Sequence, residues 1–492
     1  MTERLHGWRS PSVGRVKKGL ETAAIGGGID IALLMSLWLL VLIASIRNVG
    51  IAGSIAFVAL SCALVVRRTA NGMLVLLLIF YSPATMIGVP SVFSVTAAIT
   101  LAKIVLVDFA AGRVRIAIAP VLYAASAYVL IATVMTWAAP DVSVALIYYR
   151  KYVEGLVLLV LFGTSCANRQ DLNRLIVWWV VFAALATIIR IVHLSIGDDT
   201  VLYRAMQAAF ASDQYDVEHR THILVGDTLA RRLVLPGEEP NYTSASLVFP
   251  FALALGLVST ASGRPGVMWM LAAGTVAAGL IGTFSRSGFI AAAGVFAFFV
   301  IGRWSLRAIL SGTALATSMW TALVLNPALQ QRIFGIDVAI SEGATGRFEL
   351  WHRAIQLWLE APILGSGMAA YYHMYHSAAH STYLQVLAET GVVGLAVFLA
   401  VIAAALIRAQ RRRSVAMNPS AAVDERMHYM SLAGLVGFCA IIGTVTYQDI
   451  KLFWLACGAF AGMCTASRDA AGVDNRIGPP DALGNRPVNL LR

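Results

Sequence analysis

Two arginines lie beside long apolar runs, where a charged side chain needs a specific explanation. Arg286 stands in the short segment TFSRSG between two such runs, and Arg232 opens RLVLPGEEPNY just before another. A guanidinium group can bind phosphate oxygens in a bidentate way, so the two positions predict an anion site. The alternatives are a turn arginine that snorkels to lipid headgroups at Arg286 and a purely structural helix start at Arg232.

The segment between Arg232 and the next apolar run predicts the start of a helix. Pro240 and Asn241 stand directly before that run. Asparagine is a good helix cap, and proline restricts the residue before it. We therefore expect Asn241 to support the anion site by setting the turn into the helix.

His380 lies in AAHSTYLQVLAETGVVGL, where a polar segment enters another apolar run. Imidazole can take a proton from a hydroxyl near neutral pH, so His380 is the candidate general base. The structural alternative is a capping or hydrogen-bonded histidine. His373, His376 and His380 would share one face of a helix, as in a metal site, but the glycine- and tyrosine-rich approach argues against a regular helix there, and we predict no metal.

The composition excludes an ordinary water-soluble domain. The 492 residues are 59% hydrophobic and 13% charged, whereas soluble domains carry roughly 25% charged and 45–50% apolar residues. A net charge of +11 would suggest nucleic acid in a soluble protein. Here cytoplasmic loops explain it, because they collect Lys and Arg, and we expect no nucleic-acid partner. The five cysteines form neither a disulfide framework nor a zinc-binding spacing.

The hydropathy predicts an all-α fold, a polytopic integral membrane helical bundle. A spanning helix needs about 17–25 mostly apolar residues. Some of the runs are short, so we expect about 12–14 transmembrane helices. The candidate runs cover 29–46, 51–66, 73–87, 93–111, 116–139, 142–163, 175–196, 243–258, 267–283, 287–301, 308–325, 383–407, 431–447 and 452–465.

Charge predicts the orientation of the bundle. With the N-terminus inside, most of the 37 Lys and Arg residues fall in inside segments, which favours a multi-pass protein with both termini cytoplasmic. Eleven basic residues would remain on the outer side or at the outer ends of spans, and an anion site there would explain them. They are Arg150, Lys151, Arg190, Arg204, Arg220, Arg231, Arg232, Arg286, Arg332, Arg347 and Arg353.

This topology divides the chain into seven segments and leaves two sizeable outer loops, which usually carry function. The segments are a cytoplasmic tail (1–28), N-terminal transmembrane helices (29–196), a first outer loop (197–242), central helices (243–325), a large outer loop (326–382), C-terminal helices (383–465) and a cytoplasmic tail (466–492).

The large loop contains an amphipathic helix, TGRFELWHRAIQLWLE. Phe348, Trp351, Ile355, Trp358 and Leu359 fall on one helical face, and charged or polar residues fall on the other. This face either packs within a small loop domain or lies flat in the membrane interface.

Three stretches of the sequence resemble the O-antigen ligase and polymerase superfamily of polytopic membrane glycosyltransferases. They are the segment from Arg232 to Pro240 and Asn241, the TFSRSG loop, and GRFELWHRAIQLWLEAPILGSG followed by HSTYLQVLAETGVVG. The family typically has an Arg- and Trp-bearing helix, a P-x-x-G-x-G turn, and His-Asn before a span ending in E-x-G-x-x-G. Here Ser381 stands where the family often has Asn. The likeness covers about residues 225–410.

The resemblance implies a metal-independent glycosyltransferase of the bacterial inner membrane. Such an enzyme passes glycan from an undecaprenyl diphosphate carrier to an acceptor hydroxyl on the outer face, in O-antigen or exopolysaccharide synthesis. By position, Arg232 and Arg286 look like the family's two arginines that hold the donor diphosphate, His380 looks like its base, and Arg347 is a supporting residue. No metal or nucleotide cofactor is expected. Glu238 or Glu239 is a candidate either for binding sugar hydroxyls or for pairing with Arg231.

Two alternatives stay open at this stage. A ligase would use lipid A–core as acceptor, whereas a polymerase would use another carrier-linked repeat, and the number of spans slightly favours the polymerase. Ligases that glycosylate proteins are a third branch that fits the same residues. The alternative from another class is a transporter or flippase of lipid-linked glycan, which would have internal repeats and helices interrupted near the midplane. No repeat is visible in the sequence.

Overall fold

The computed structural model of the chain describes residues 30–37, 50–81, 90–111, 119–165, 169–196, 222–225, 228–234, 238–261, 263–302, 345–410, 419–445 and 451–474, with isolated positions between 310 and 330. Several sequence predictions lie outside these residues, including the N-terminal tail, residues 475–492 of the C-terminal tail and most of the run 308–325. Arg204, Arg220 and Arg332 also lie outside them.

The described chain is helical apart from one hairpin. Its helices are α1 (Gly50–Arg67), α2 (Thr69–Phe80), α3 (Pro90–Lys103) continued by a π-helical turn (Ile104–Phe109), α4 (Ala119–Trp137), α5 (Val142–Ser165), α6 (Arg169–Ile196), α7 (Pro240–Thr260), α8 (Arg264–Gly282), α9 (Arg286–Ile301), α10 (Thr345–Glu360), α11 (Ala370–Tyr375), α12 (Thr382–Gln410), α13 (Pro419–Ile442) and α14 (Lys451–Asp474). Strands β1 (His222–Val225) and β2 (Thr228–Arg231) pair antiparallel, with His222 opposite Arg231.

Five described helices are long and apolar enough to cross a membrane. Their windows are Pro120–Trp137, Arg169–Ser195, Pro240–Thr260, Arg264–Gly282 and Thr382–Ile407, and shorter apolar helices accompany them. The prediction of a polytopic helical membrane bundle is therefore confirmed. The number of spans and the segment boundaries stay predictions.

Helix α7 is the centre of the bundle. It packs against α6, α8, α9 and α13, and 94% of its spanning window is buried inside the protein. Glycines let its neighbours come close, because a Cβ at Gly288 of α9 would overlap the hydroxyl of Ser244. A spanning helix that contacts almost no lipid is well suited to hold a site at its end.

The end of the bundle opposite the start of α7 carries structural ion pairs. Arg67 and Arg174 both bind Asp30, at 2.7 and 3.2 Å. Arg426, in the first third of α13, donates to the carbonyl of Ser259 in the last turn of α7 at 2.8 Å. These arginines belong to the set that the charge pattern places inside.

The start of α12 lies at the same end of the bundle as the start of α7. Helix α13 runs antiparallel to α7, because Arg426 reaches the last turn of α7 whereas Gly437 lies against Val248. Beyond the end of α13, the carbonyl of Val445 accepts a hydrogen bond from Thr382 at 2.9 Å. We call this end, where α7, α9 and α12 begin, the site end.

Helix α12 is broken at Gly391, whose φ of 65° and ψ of −169° are not helical. In an unbroken helix, Val392 and Val393 would donate to carbonyls four residues earlier. Here Val392 donates to the carbonyl of Pro362 at 3.0 Å and Val393 to that of Ile363 at 3.3 Å. The turn after α10 therefore occupies the break.

The same turn satisfies the two carbonyls that the break releases. Ser366 donates to the carbonyl of Ala388 at 3.0 Å, and Gly367 donates to that of Glu389 at 3.1 Å. Irregular backbone is tolerated at a membrane only where protein groups or water satisfy it. The P-x-x-G-x-G segment and the broken helix are thus one unit.

Candidate functional site

Arg232 lies on a short arm that is fixed to the end of α8. It directly follows β2, and the next residue, Leu233, donates its backbone N–H to the carbonyl of Gly282 at 2.7 Å. Leu233 and Val234 are buried. A Cβ at Gly282 would stand 2.8 Å from the Leu233 Cβ, so the glycine is what allows the arm to approach α8.

Arg286 is the first residue of α9, and three residues separate it from the end of α8. The turn between these helices contains Phe284 at a φ of 54° and Ser285, whose hydroxyl caps α9 by accepting the Gly288 N–H at 3.3 Å. Because the Arg232 arm binds Gly282, the two arginines belong to chain segments that meet at one tight turn.

Polar side chains connect this turn to the start of α7. Ser285 donates its hydroxyl to Asn241 Oδ1 at 2.8 Å, and Asn241 Nδ2 donates to Glu239 Oε1 at 2.6 Å. The other Glu239 oxygen accepts the Tyr242 N–H at 2.8 Å. The prediction that Asn241 caps α7 is therefore wrong: Pro240 takes the first helical position, and Glu239 before it is the cap.

Burial and one carboxylate shape the electrostatics of Arg232. Desolvation lowers the pKa of its guanidinium, and the nearby Glu239 carboxylate opposes this shift. Arginine stays charged regardless. Among the described residues, none accepts a hydrogen bond from the buried Arg232 Nε. A buried cationic donor is suited to an anionic ligand.

Glu238 is a buried structural group at this site. Its carboxylate binds both Nε and Nη2 of Arg190 on α6, the former at 2.8 Å, and accepts from Thr243 at 3.2 Å. Both partners are almost fully buried, with side chains 8% and 3% exposed. The pair anchors the segment between the Arg232 arm and α7 to a spanning helix. The pair also gives a carboxylate partner to Arg190, one of the eleven basic residues that the predicted topology leaves on the outer side.

His380 directly precedes Ser381 and α12. Its backbone φ is 50°, which only a turn accommodates for a non-glycine residue. Burial lowers the pKa of the imidazole below its usual 6.5, and the positive charge of Arg347 lowers it further. The neutral form, which can accept a proton, is therefore favoured at pH 7.

A polar chain holds the His380 turn from behind. Gln385 Oε1 accepts the Ala379 N–H at 3.4 Å, and Gln385 Nε2 donates to Glu389 at 3.0 Å. Glu389 is buried beside the helix break. The position of His380 is thus coupled to the broken part of α12.

All four described non-glycine residues with positive φ lie in turns at the site end. They are Phe284, Ala369, His376 and His380. Such conformations cost about 1–3 kcal/mol each and concentrate at functional sites. His376 also ends α11, so His373, His376 and His380 do not share one helix face. Within the described ranges, no group of three or more His, Cys, Asp or Glu is placed to hold a metal ion.

The contacts bring the predicted residues together to different degrees. Arg232, Asn241 and Arg286 belong to one local network, and His380 lies near Arg347 at the same end of the bundle. Their convergence on one cavity stays a prediction. The Arg190–Glu238 pair was not predicted, because 48 residues separate its partners and no local pattern connects them.

The comparisons identify a family for the central part of the chain. Residues 271–399, about a quarter of the sequence, match the family model described as O-antigen ligase. The match includes Arg286, Arg347 and His380. It starts after Arg232 and Asn241, so it does not include these two residues. No curated protein matches the chain.

Proposed function

We propose that this membrane protein, whose residues 271–399 match the O-antigen ligase family model, transfers glycan from an undecaprenyl diphosphate carrier to an acceptor hydroxyl at the outer face of the bacterial inner membrane. The observation that carries the proposal is the connection between Arg232 and Arg286. The Leu233–Gly282 bond and the Ser285–Asn241 bond hold their two segments at one turn.

The donor site needs positive charge where the leaving group develops negative charge. In the proposed step, the acceptor oxygen bonds to the anomeric carbon of the donor sugar, and the bond from that carbon to the carrier diphosphate breaks. Two fixed guanidinium groups stabilise the diphosphate that departs. Arg232 is partly desolvated, which strengthens its interaction with an anion relative to water.

The acceptor needs a base. His380 takes the hydroxyl proton as the new glycosidic bond forms, and the imidazolium then returns that proton to solvent or product. Arg347 and burial keep the imidazole neutral beforehand, which is the state that this role requires. Glu238 has a structural role here, because its carboxylate is bound by Arg190 and Thr243.

The interrupted helix bears on the transporter alternative. A transporter would break its helices near the membrane midplane. The break at Gly391 lies about 24 Å along the helix from residue 407, the inner end of the spanning window. The break is therefore close to one membrane surface, as expected where an outer loop packs into a helix. This position favours the glycosyltransferase over the transporter.

The test is a deletion strain complemented with wild type, His380→Ala or His352→Ala. Surface glycan is compared on gels with the carrier-linked pool. His352 lies on the exposed side of α10, so His352→Ala should restore the wild-type pattern and His380→Ala should not. Accumulation of full-length carrier-linked chains identifies a ligase, and accumulation of single repeats identifies a polymerase. A glycan profile that deletion leaves unchanged overturns the proposal.

A further inference from the structure

Helix α10 presents three distinct faces. One face is buried: Ala354 and Leu357 pack with Tyr371, Ala379 and Ala388 in a small apolar cluster. A second face is polar and exposed, with an Arg353–Glu349 ion pair and a His352–Gln356 hydrogen bond of 2.9 Å. The third face is apolar and exposed.

The exposed apolar face consists of Phe348, Ile355 and Leu359. Their side chains are 62%, 39% and 62% exposed. Ile355 and Leu359 follow Phe348 by seven and eleven residues, so all three lie within about 20° of one direction around the helix axis. The predicted aromatic stripe is therefore only partly used for packing, because α10 buries the side that carries Ala354 and Leu357 instead.

Two tryptophans border this face. Trp351 and Trp358 are half-buried, and the Trp358 indole donates to the carbonyl of Pro362 at 3.0 Å. Tryptophan concentrates at membrane–water boundaries, where one part of the ring contacts apolar chains and another stays polar.

The apolar face is continuous with the lipid-facing side of a spanning helix. Ile363 and Leu364, directly after α10, are 65% and 56% exposed. The Ile363 carbonyl accepts the Val393 N–H, and Val392 and Val393 are themselves 44% and 38% exposed. The end of α10 thus lies level with the break in α12.

The depth of the break can be estimated from the helix below it. Residues 392–407 rise about 24 Å, and a basic run begins at Arg408, as expected at one membrane boundary. The hydrocarbon core is about 30 Å thick. Its other boundary therefore lies only about 6 Å beyond Val392. Ile363 is at the same level as Val392, because its carbonyl accepts the Val393 N–H.

We propose that α10 lies flat in the membrane interface at the site end, with Phe348, Ile355 and Leu359 inserted among the acyl chains of bilayer lipids. An amphipathic helix with separate apolar and charged faces binds membranes in this way. The occupant is lipid, because the face continues the surface of a membrane span without interruption. In this position, α10 also sets the height of Arg347 and of the helix break relative to the bilayer.

The test measures the surroundings of two positions on α10. The full chain, with its five cysteines replaced by alanine, carries Leu359→Cys or the polar-face control Gln356→Cys. Each variant is spin-labelled and reconstituted in vesicles of phosphatidylethanolamine and phosphatidylglycerol. We expect the label at 359 to collide several-fold more often with oxygen than with a water-soluble nickel chelate, and the label at 356 to show the reverse.

Either of two results at position 359 overturns the proposal. Frequent collision with the nickel chelate would place the face in water. Protection from both reagents would mean that protein covers it, such as a second copy of the chain. If the cysteine-free chain does not fold, a photoreactive benzoylphenylalanine at 359 in the otherwise unchanged protein gives the same decision, since lipid adducts support the proposal and protein adducts or none overturn it. No readout depends on glycan transfer.

Discussion

Val392 of α12 donates its backbone N–H to the carbonyl of Pro362 at 3.0 Å, although in a regular helix it would donate to Ala388. The turn after the amphipathic helix thus supplies the hydrogen-bond partners that one turn of a regular membrane helix would have supplied. The catalytic candidate His380 lies twelve residues before Val392, and Gln385 connects the two regions.

Replacing Gly391 should destabilise this unit. Its backbone conformation is essentially restricted to glycine, and an added Cβ would overlap the Ile363 carbonyl. We expect Gly391→Ala to lower the free energy of unfolding by about 2 kcal/mol or more, measured as a lower melting temperature in detergent. Gly294→Ala is the control, since a Cβ there meets nothing within 4 Å. Equal melting temperatures for the two variants would contradict the prediction.

The pH dependence of activity should respond to Arg347. A base acts when it is unprotonated, so the rate should fall as the pH drops through the lowered pKa of His380. Arg347→Gln removes a positive charge that lowers that pKa, so the pKa should rise and the acid limb of kcat/KM should move to higher pH. The rate on the alkaline plateau should change less. An acid limb that does not move would show that Arg347 does not act on the base.

The donor arginines should not tolerate lysine. Lysine keeps the charge but cannot form the bidentate contact of a guanidinium group. We expect Arg232→Lys and Arg286→Lys each to reduce kcat/KM by about a hundred-fold, as for loss of one preorganised donor, in an assay with purified carrier-linked glycan. Arg264→Lys, in the first turn of α8 at the opposite end of the bundle, should keep wild-type activity.

The buried pair of Arg190 and Glu238 should matter for stability when one partner is removed alone. Glu238→Ala leaves an uncompensated buried charge, and we expect a loss of about 3–5 kcal/mol. Arg150→Ala is the exposed comparison, because its side chain is 62% exposed, and it should cost about 1 kcal/mol or less. The double variant Arg190→Met, Glu238→Leu should recover much of the loss. A double variant as unstable as the single one would contradict this explanation.

The sequence predicts the class of fold and the positions of the main candidates for physical reasons. Apolar run lengths identify membrane helices, and Arg286 and His380 stand out because charge and imidazole are rare beside such runs. The helix break could not be predicted, because its four hydrogen bonds join residues that are far apart in sequence. Asn241 was assigned the wrong local role, since the proline before it moves the cap to Glu239.

The near-complete burial of α7 also decides how the chain can be divided. The segment matched by the family model begins within α8 and ends within α12, so it omits both α7 and its long-range neighbour α13. Those two helices pack along most of their length, although a stretch that includes the whole matched segment separates them in sequence. Isolating the matched segment would separate α9, which begins with Arg286, from α7 and α13, the helices on which it packs. We therefore expect that the matched segment does not fold on its own.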